Sequence, residues 1–471
     1  MNTFIKALLI AILPFSAWAN EHDVSKDVSA FIQTMQQQDI FNGSLAIIEG
    51  GEVVYNNSVG FTNFDKSIAL ENTTVFNIGS ISKDFTAMSI LLLLEENKLT
   101  LQDPLSHYFP ELPSWANKVE ITHLLSHSSG LPAMAYIEGL ENRQVLTKLN
   151  EVSELEFSPD DKTLYGSFGY QLLAMIVAKV SKQSFGDFVA SRIFTPLDMK
   201  YSYVLGTHPA KKAQLAIGYE FGRGSVPQDS TTGAGNVYSN VSDLVKWERA
   251  LFNNILIEDA TLQNALEPFK CWGNDCRLKA DFGVGVYKDD ELWGIHHHGG
   301  FGGYQAMLYR FPKQNRAIIF TANNGLELQY NDIRYTLMSI LNGENPAYPK
   351  KDAHILYYDA LINKGFESAK SAYLSMSKET DRYDVNESDM NSIGYFLLGD
   401  NKAELAVKTF KFCTEQFSDS PNIWDSYGEA LEVTNDAQGA RSAYKKALEL
   451  AKAESNEELV ESVRKNLARV K

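Results

Sequence analysis

The sequence predicts an α+β fold in which an antiparallel sheet, flanked by helices, brackets a helical region, followed by an all-α domain. Three observations carry this prediction. Short apolar runs lie at Ser44 to Ile48 and Val53 to Tyr55, and strand signals return from residue 281 onward, with a mainly helical stretch between. The later runs, FGVGVYK, LWGIHHH, YQAMLYRF and AIIFTAN, are separated only by turn residues, and strands so close in sequence pair antiparallel. After GENPAYPKKD at 343–352 the strand signal stops and the remainder reads as paired helices.

Taken in order, Met1 to Lys6 carries one positive charge, Ala7 to Phe15 is apolar, and Ala17-Trp18-Ala19 is a small-x-small site. Residues 1–19 therefore read as a bacterial Sec-type signal peptide cleaved after Ala19, which predicts an exported protein, periplasmic or secreted. The apolar run is too short to span a bilayer well, so no transmembrane anchor is expected in the mature chain. Residues 20–345 then make the first domain. It opens with a helix carrying Val28, Phe31, Ile32 and Met35 on one face, and Gly50-Gly51 signals a hairpin between the first two strands. A helix follows Ser80, nearly all apolar from Met88 to Leu94 and so buried on every side. The helical middle contains THLLSHSSGLP (Thr122 to Pro132), and Tyr165-Gly166-Ser167 precedes the helix-like GYQLLAMIVAKVSKQS. Residues 233–252 read as a glycine turn and a helix capped at Ser242, with Asp243 in its first turn.

Across the 471 residues, 44% are hydrophobic and 22% charged, the profile of a soluble globular protein with more than one domain. A formal charge of −16 argues against nucleic acid or an anionic membrane as partner. Export permits a disulfide, and Cys271 and Cys276 flank the turn residues of KCWGNDCR. Cys413 is the odd cysteine, expected inside a helix pair. The sequence calls for no metal and no cofactor, since further zinc ligands are lacking near the cysteines.

The chemistry centres on Ser80-Ile81-Ser82-Lys83. Positions i and i+3 share a helix face, so Lys83 is expected beside the Ser80 hydroxyl. A hydroxyl at a helix start also sits near backbone N–H groups that the helix leaves unclaimed. S-x-x-K also begins at Ser375, Ser442 and Ser462, but those lie in charged helices where a solvated face explains them. Only Ser80 has a glycine before it and a buried helix after it.

With Tyr165-Gly166-Ser167 and His297-His298-Gly299-Gly300, this stretch resembles the S-x-x-K, Y-x-N and K-T-G (or H-x-G) boxes of the serine β-lactamase and penicillin-binding-protein superfamily, nearest its class C-like β-lactamase, D-aminopeptidase and esterase branch. The resemblance covers about residues 25–340. It implies a β-lactamase/transpeptidase-like fold and an acyl-enzyme on Ser80. Lys83 and Tyr165 are then the two candidate bases, and the Ser80 and Gly300 N–H groups form the oxyanion hole. His298-Gly299-Gly300 fits the third box as well, but adjacent strand residues face opposite ways. The following F-G-G-Y resembles members carrying H-T-G-G-x-x-G-[FY], which selects His297.

Ser167 stands where the family has Asn, and His297 where it commonly has Lys. Both changes remove substrate contacts useful for β-lactams and favour peptide, amide or ester substrates, of D-amino-acid cell-wall type or small esters. The other readings are a penicillin- or peptidoglycan-binding protein with slow turnover and a true class C-like β-lactamase. His123 and His127 read as structural. In residues 350–471, Gly394, Ala406, Phe410 and Cys413 recur 34 residues later as Gly428, Ala440, Tyr444 and Ala447, a spacing that resembles tetratricopeptide repeats. A degenerate unit is expected at 354–377 and a capping helix at 456–470. Two clear units are few for a free solenoid, so they are expected to lean on the first domain while offering a surface to a protein partner.

Overall fold

The computed structural model describes residues 23–132, 142–220, 223–224, 232–325 and 330–470. The expected signal peptide at 1–19 lies outside them. Eight strands form one sheet: β1 Gly43–Glu49, β2 Glu52–Val59, β3 Pro268–Trp272, β4 Asp275–Leu278, β5 Val284–Lys288, β6 Glu291–Phe301, β7 Tyr304–Phe311 and β8 Arg316–Ala322. Their order is β2-β1-β8-β7-β6-β5-β4-β3, and the described pairings are antiparallel. The β1–β8 pairing, in register from Gly43↔Ala322 to Ile48↔Ala317, joins the two sequence-distant strand regions into one sheet.

Alternation along the strands divides the core in two. Ala46, Ile48, Ala306, Leu308 and Ile319 face the large helical cluster, while Leu45, Ile47, Met307, Ile318 and Phe320 face the opposite layer. That opposite layer contains α1, Val24–Gln37, whose Val28, Phe31, Ile32 and Met35 are all buried as the spacing predicts. On the helical side stand α2 (Ser82–Glu95), α3 (Ser167–Ser181) and α4 (Val241–Phe252). From Ser82 to Leu93 every residue of α2 is buried, so this helix runs through the core. Phe85 locks it in place, its ring 4.5 Å from Trp247 and 5.4 Å from Phe194.

One local expectation is corrected and two elements are added. The cap of α4 is Asn240, not Ser242, because Asn240 Oδ1 accepts the Asp243 N–H at 2.8 Å. The Ser242 hydroxyl instead bonds Asn56 Nδ2 at 3.1 Å. KCWGNDCR is more than a turn: it makes the β3–β4 hairpin, with Cys271 directly opposite Cys276. The sequence reading also passed over α5, Tyr330–Leu341, which packs with α1 on the sheet.

The C-terminal region is helical: α6 Ala353–Lys364, α7 Phe366–Met376, α8 Glu387–Gly399, α9 Ala403–Gln416, α10 Pro421–Val433, α11 Ala437–Ala453 and α12 Glu457–Arg469. The 34-residue recurrence has a steric cause. A Cβ on Gly394 would lie 2.2 Å from the Phe410 ring, and one on Gly428 would lie 2.5 Å from Tyr444. Each glycine makes room for an aromatic ring from the next helix. Cys413 is fully buried among these helices, and burial pushes its thiol up to about 12. The hydrophobic clusters of these helices draw on residues from 353 onward. Ahead of these helices Tyr348 packs its ring 5.1 Å from Phe31, and a cavity between the sheet half and the helices is lined by Phe41, Phe61 and Tyr219 on one side and Ile355 and Leu356 on the other. No helix among the described residues is long and apolar enough to cross a membrane.

Candidate active site

Ser80 sits in a single 3-10 turn, Gly79–Ile81, immediately before α2. Gly79 has φ +52°, and its N–H is held by Asn77 Oδ1 at 2.7 Å, which fixes the turn. Lys83 lies in the first turn of the buried helix and is itself fully buried. Its Nζ donates to Ser80 Oγ at 3.0 Å and to the Ala234 carbonyl at 3.0 Å. The Gly233–Val237 segment braces this end of the helix: the Val237 N–H donates to Ser82 Oγ at 3.0 Å and Thr86 Oγ1 donates to the Gly233 carbonyl at 2.6 Å. No carboxylate among the described residues is paired with Lys83, so its polar contacts are a carbonyl and the serine.

Tyr165 stands over this pair, its ring centre 4.8 Å from Lys83 Nζ, and remains 40% exposed, open to a ligand. The same ring lies 4.6 Å from His127 and 4.8 Å from the Arg277 guanidinium. His127 Nδ1 accepts the Gly166 N–H at 3.4 Å, so Nε2 carries the proton that bonds Asp281 Oδ2 at 2.9 Å. Burial pushes the His127 imidazole down against the opposing pull of Asp281. For Asp281 burial works upward, but His297, His127 and Arg277 around it outweigh that and hold the carboxyl well below its usual range. His127 thus links the Gly166 backbone and the Tyr165 ring to Asp281. His123 is likewise tied into the backbone, its Nδ1 accepting the Glu120 N–H at 2.9 Å.

β6 closes the site from the other side. A Cβ on Gly299 would fall 2.0 Å from the Ile78 carbonyl and 3.0 Å from Ser80 N, and one on Gly79 would fall 2.6 Å from Gly300 N. Only glycines permit this close approach of the β6 backbone to the Ser80 turn. The two histidines diverge as alternation requires. His297 pairs with Leu308 on the helical face, is 5% exposed, and places Nδ1 2.6 Å from Asp84 Oδ1. His298 turns to the opposite layer, stacks on Tyr330 at 4.1 Å and bonds Gln305.

Ser167 is the first residue of α3 and is half-buried; no hydrogen bond among the described residues joins it to Ser80 or Lys83. Cys271 and Cys276 are bonded, S–S 2.00 Å, in the hairpin that carries Arg277. Arg277 was missed by the sequence reading, because nothing in KCWGNDCR connects the hairpin to Tyr165. Away from this site, Asp352, His354 and Asp389 place their ligand atoms within 4.8 Å of one another in the C-terminal region, the one grouping of metal-ligand type among the described residues.

The arrangement is that of a serine hydroxyl beside a lysine amine, a tyrosine ring next to that amine, and a glycine strand packed against the serine turn. The solved structures with this fold include the octameric penicillin-binding protein homologue from Pyrococcus abyssi (TM-score 0.60, 25% identity, covering 69% of this chain and 78% of that one). A class C β-lactamase aligns with TM-score 0.60 at 21% identity, over 70% of this chain and 99% of its own. Among sequences, a Bacillus subtilis (strain 168) penicillin-binding protein is 28% identical over 364 residues, 70% of this chain and 80% of the relative. Protein flp of Staphylococcus aureus (strain MW2) is 25% identical over 340 residues, 68% of this chain and 67% of its own. The family model described as Beta-lactamase matches residues 28–341, and the chain belongs to that family.

Proposed function

We propose that the protein is an exported serine hydrolase that works through an acyl-enzyme on Ser80. The observation that carries this reading is the 3.0 Å hydrogen bond from Lys83 Nζ to Ser80 Oγ, with the Tyr165 ring centre 4.8 Å from the same Nζ. In this mechanism the Ser80 proton passes to Lys83 or Tyr165 as Oγ attacks a carbonyl carbon. The resulting oxyanion is met by the Ser80 and Gly300 N–H groups, and Tyr165 returns a proton to the leaving group. Water then cleaves the acyl-serine by the reverse path.

The favoured substrates are peptides, amides or esters, of D-amino-acid cell-wall type or small esters. Ser167 and His297 in place of the family's Asn and Lys support this choice over β-lactams. We read residues 20–345 as the catalytic domain and 350–471 as tetratricopeptide repeats that receive a protein partner. Residues 1–19 act as the export signal in this reading.

Labelling with a fluorophosphonate or a tagged penicillin, followed over time by intact-protein mass spectrometry, tests it. A transient adduct on Ser80 is expected. A lasting adduct marks the penicillin-binding alternative, and no adduct overturns both.

A further inference from the structure

Asp84 follows Lys83 directly, yet it faces elsewhere, because one residue turns a helix by about 100°. Lys83 points to Ser80; Asp84 points to the sheet, where it meets His297 of β6. Its Oδ1 is 2.6 Å from His297 Nδ1, and its Oδ2 accepts from Arg310 Nη2. Arg310 is held in turn, Nε donating to Glu248 Oε2 at 2.7 Å and Nη1 to the Phe282 carbonyl at 2.7 Å. Asp84 and Glu248 are 0% exposed and Arg310 2%. Burial pushes the Glu248 carboxyl up, against the pull of Arg310.

A buried charge chain of this kind is a poor source of stability, since apolar side chains of similar volume do as well without desolvating ions. What it does provide is orientation. A carboxylate accepts and does not donate, so it fixes the proton of the imidazole on Nδ1. Nε2 has no hydrogen-bond partner among the described residues. Two residues further along the same strand, Gly299 packs against Ser80 N.

Resting on the acyl-enzyme reading above, we propose that Asp84 is a positioning residue for the reaction. It holds the His297 ring in the Nδ1–H form and leaves Nε2 to the substrate bound at Ser80, while Arg310 and Glu248 hold Asp84. The Asp84 carboxylate does not touch the reacting atoms; it acts through His297.

Two measurements test this. In the wild-type protein, ¹⁵N-edited NMR of the histidines, with His297 assigned by His297→Gln, should find Nδ1 protonated; a proton on Nε2 alone overturns the proposal. This readout is independent of turnover, so it stands apart from any failure of the Ser80 labelling experiment. In kinetics, Asp84→Asn should slow acylation of an ester by at least ~10-fold, with most of the loss in kcat. The same substitution made in a His297→Ala background should cost less than ~2-fold, because the group it acts through is gone. Equal losses in both backgrounds would show that Asp84 serves the fold alone. If Asp84→Asn does not fold, Glu248→Gln, which keeps the Arg310–Asp84 contact, should fold and show the same dependence on His297 with a smaller loss; an unchanged loss without His297 overturns the proposal there too.

Discussion

Asp281 in the sheet half and Asp425 in the C-terminal helices are both buried aspartates, and their surroundings drive them in opposite directions. Asp281 faces His127 and Arg277, which with His297 hold its carboxyl below the usual range despite burial. Among the described residues Asp425 accepts a side-chain hydrogen bond from the Asn466 amide, at 3.2 Å, with no salt-bridge partner, and burial pushes it up to about 6. The same contrast runs through each region. In the sheet half, the buried carboxylates of Asp84, Glu248 and Asp281 are answered by Arg310, His297, His127 and Arg277 and fix the direction of side chains. In the helices, order comes from glycine–aromatic complementarity, as at Gly394 with Phe410 and Gly428 with Tyr444. One half is built to orient groups, the other to stack helices.

The largest expected effect removes the purpose of that orientation. Ser80→Ala should abolish covalent labelling while leaving both regions folded, and Lys83→Ala or Tyr165→Phe should each slow acylation by at least ~10²-fold. Labelling of Ser80→Ala at the wild-type rate would place the nucleophile elsewhere. Next in size, Gly428→Ala should overpack its helix pair and destabilise the C-terminal region by about 1–3 kcal/mol, with acylation unchanged. A fall in acylation equal to the fall in helix stability would mean that the two regions are one energetic unit.

Acid should separate the halves. His127 and His296 are both lowered by burial, His296 to about 4 from an ordinary 6.5. The unfolded chain therefore binds those protons first, and the stability they contribute is present above about pH 6.5 and falls with pH, for His296 as it nears 4. Asp281 adds a further loss below the ordinary aspartate value, for the same reason. Asp425 has the reverse sign: its folded value lies above the ordinary 3.8, so its contribution is complete below that value and lost as pH rises through about 6. Calorimetry between pH 7 and 4 should show the sheet half losing stability faster than the helices; parallel losses would erase the comparison. The smallest effect is expected from Arg277→Ala, which should raise KM for esters bearing a free carboxylate by no more than about fivefold and leave neutral esters unchanged.

Much of the site was legible because its signals are local. Ser80 and Lys83 are one helical turn apart, and Gly299-Gly300 completes the third box beside His297. The separation of His297 from His298 followed from strand alternation alone. What the sequence did not disclose is contact between distant segments. Asp84 meets Arg310 across 226 positions, and Arg277 reaches Tyr165 from a hairpin whose turn residues say nothing of its destination. The Ser242 cap failed for a related reason: Asn240 and Ser242 are both good caps, and Ser242 had a tertiary partner in Asn56.

The two outer strands of the sheet, β2 and β3, carry a consequence for behaviour in dense solution. An unpaired strand edge invites another chain to add to it. β3 offers five residues, beginning with Pro268, which has no N–H to give, carrying Lys270, and cross-linked to its neighbour at Cys271. β2 presents Glu52, Asn56, Asn57 and Ser58, and a register shift in its pairing with β1 at Ile47/Ile48 breaks the regular ladder. Neither rim is a good template for another strand to add to, so edge-to-edge growth of the sheet is disfavoured at both ends.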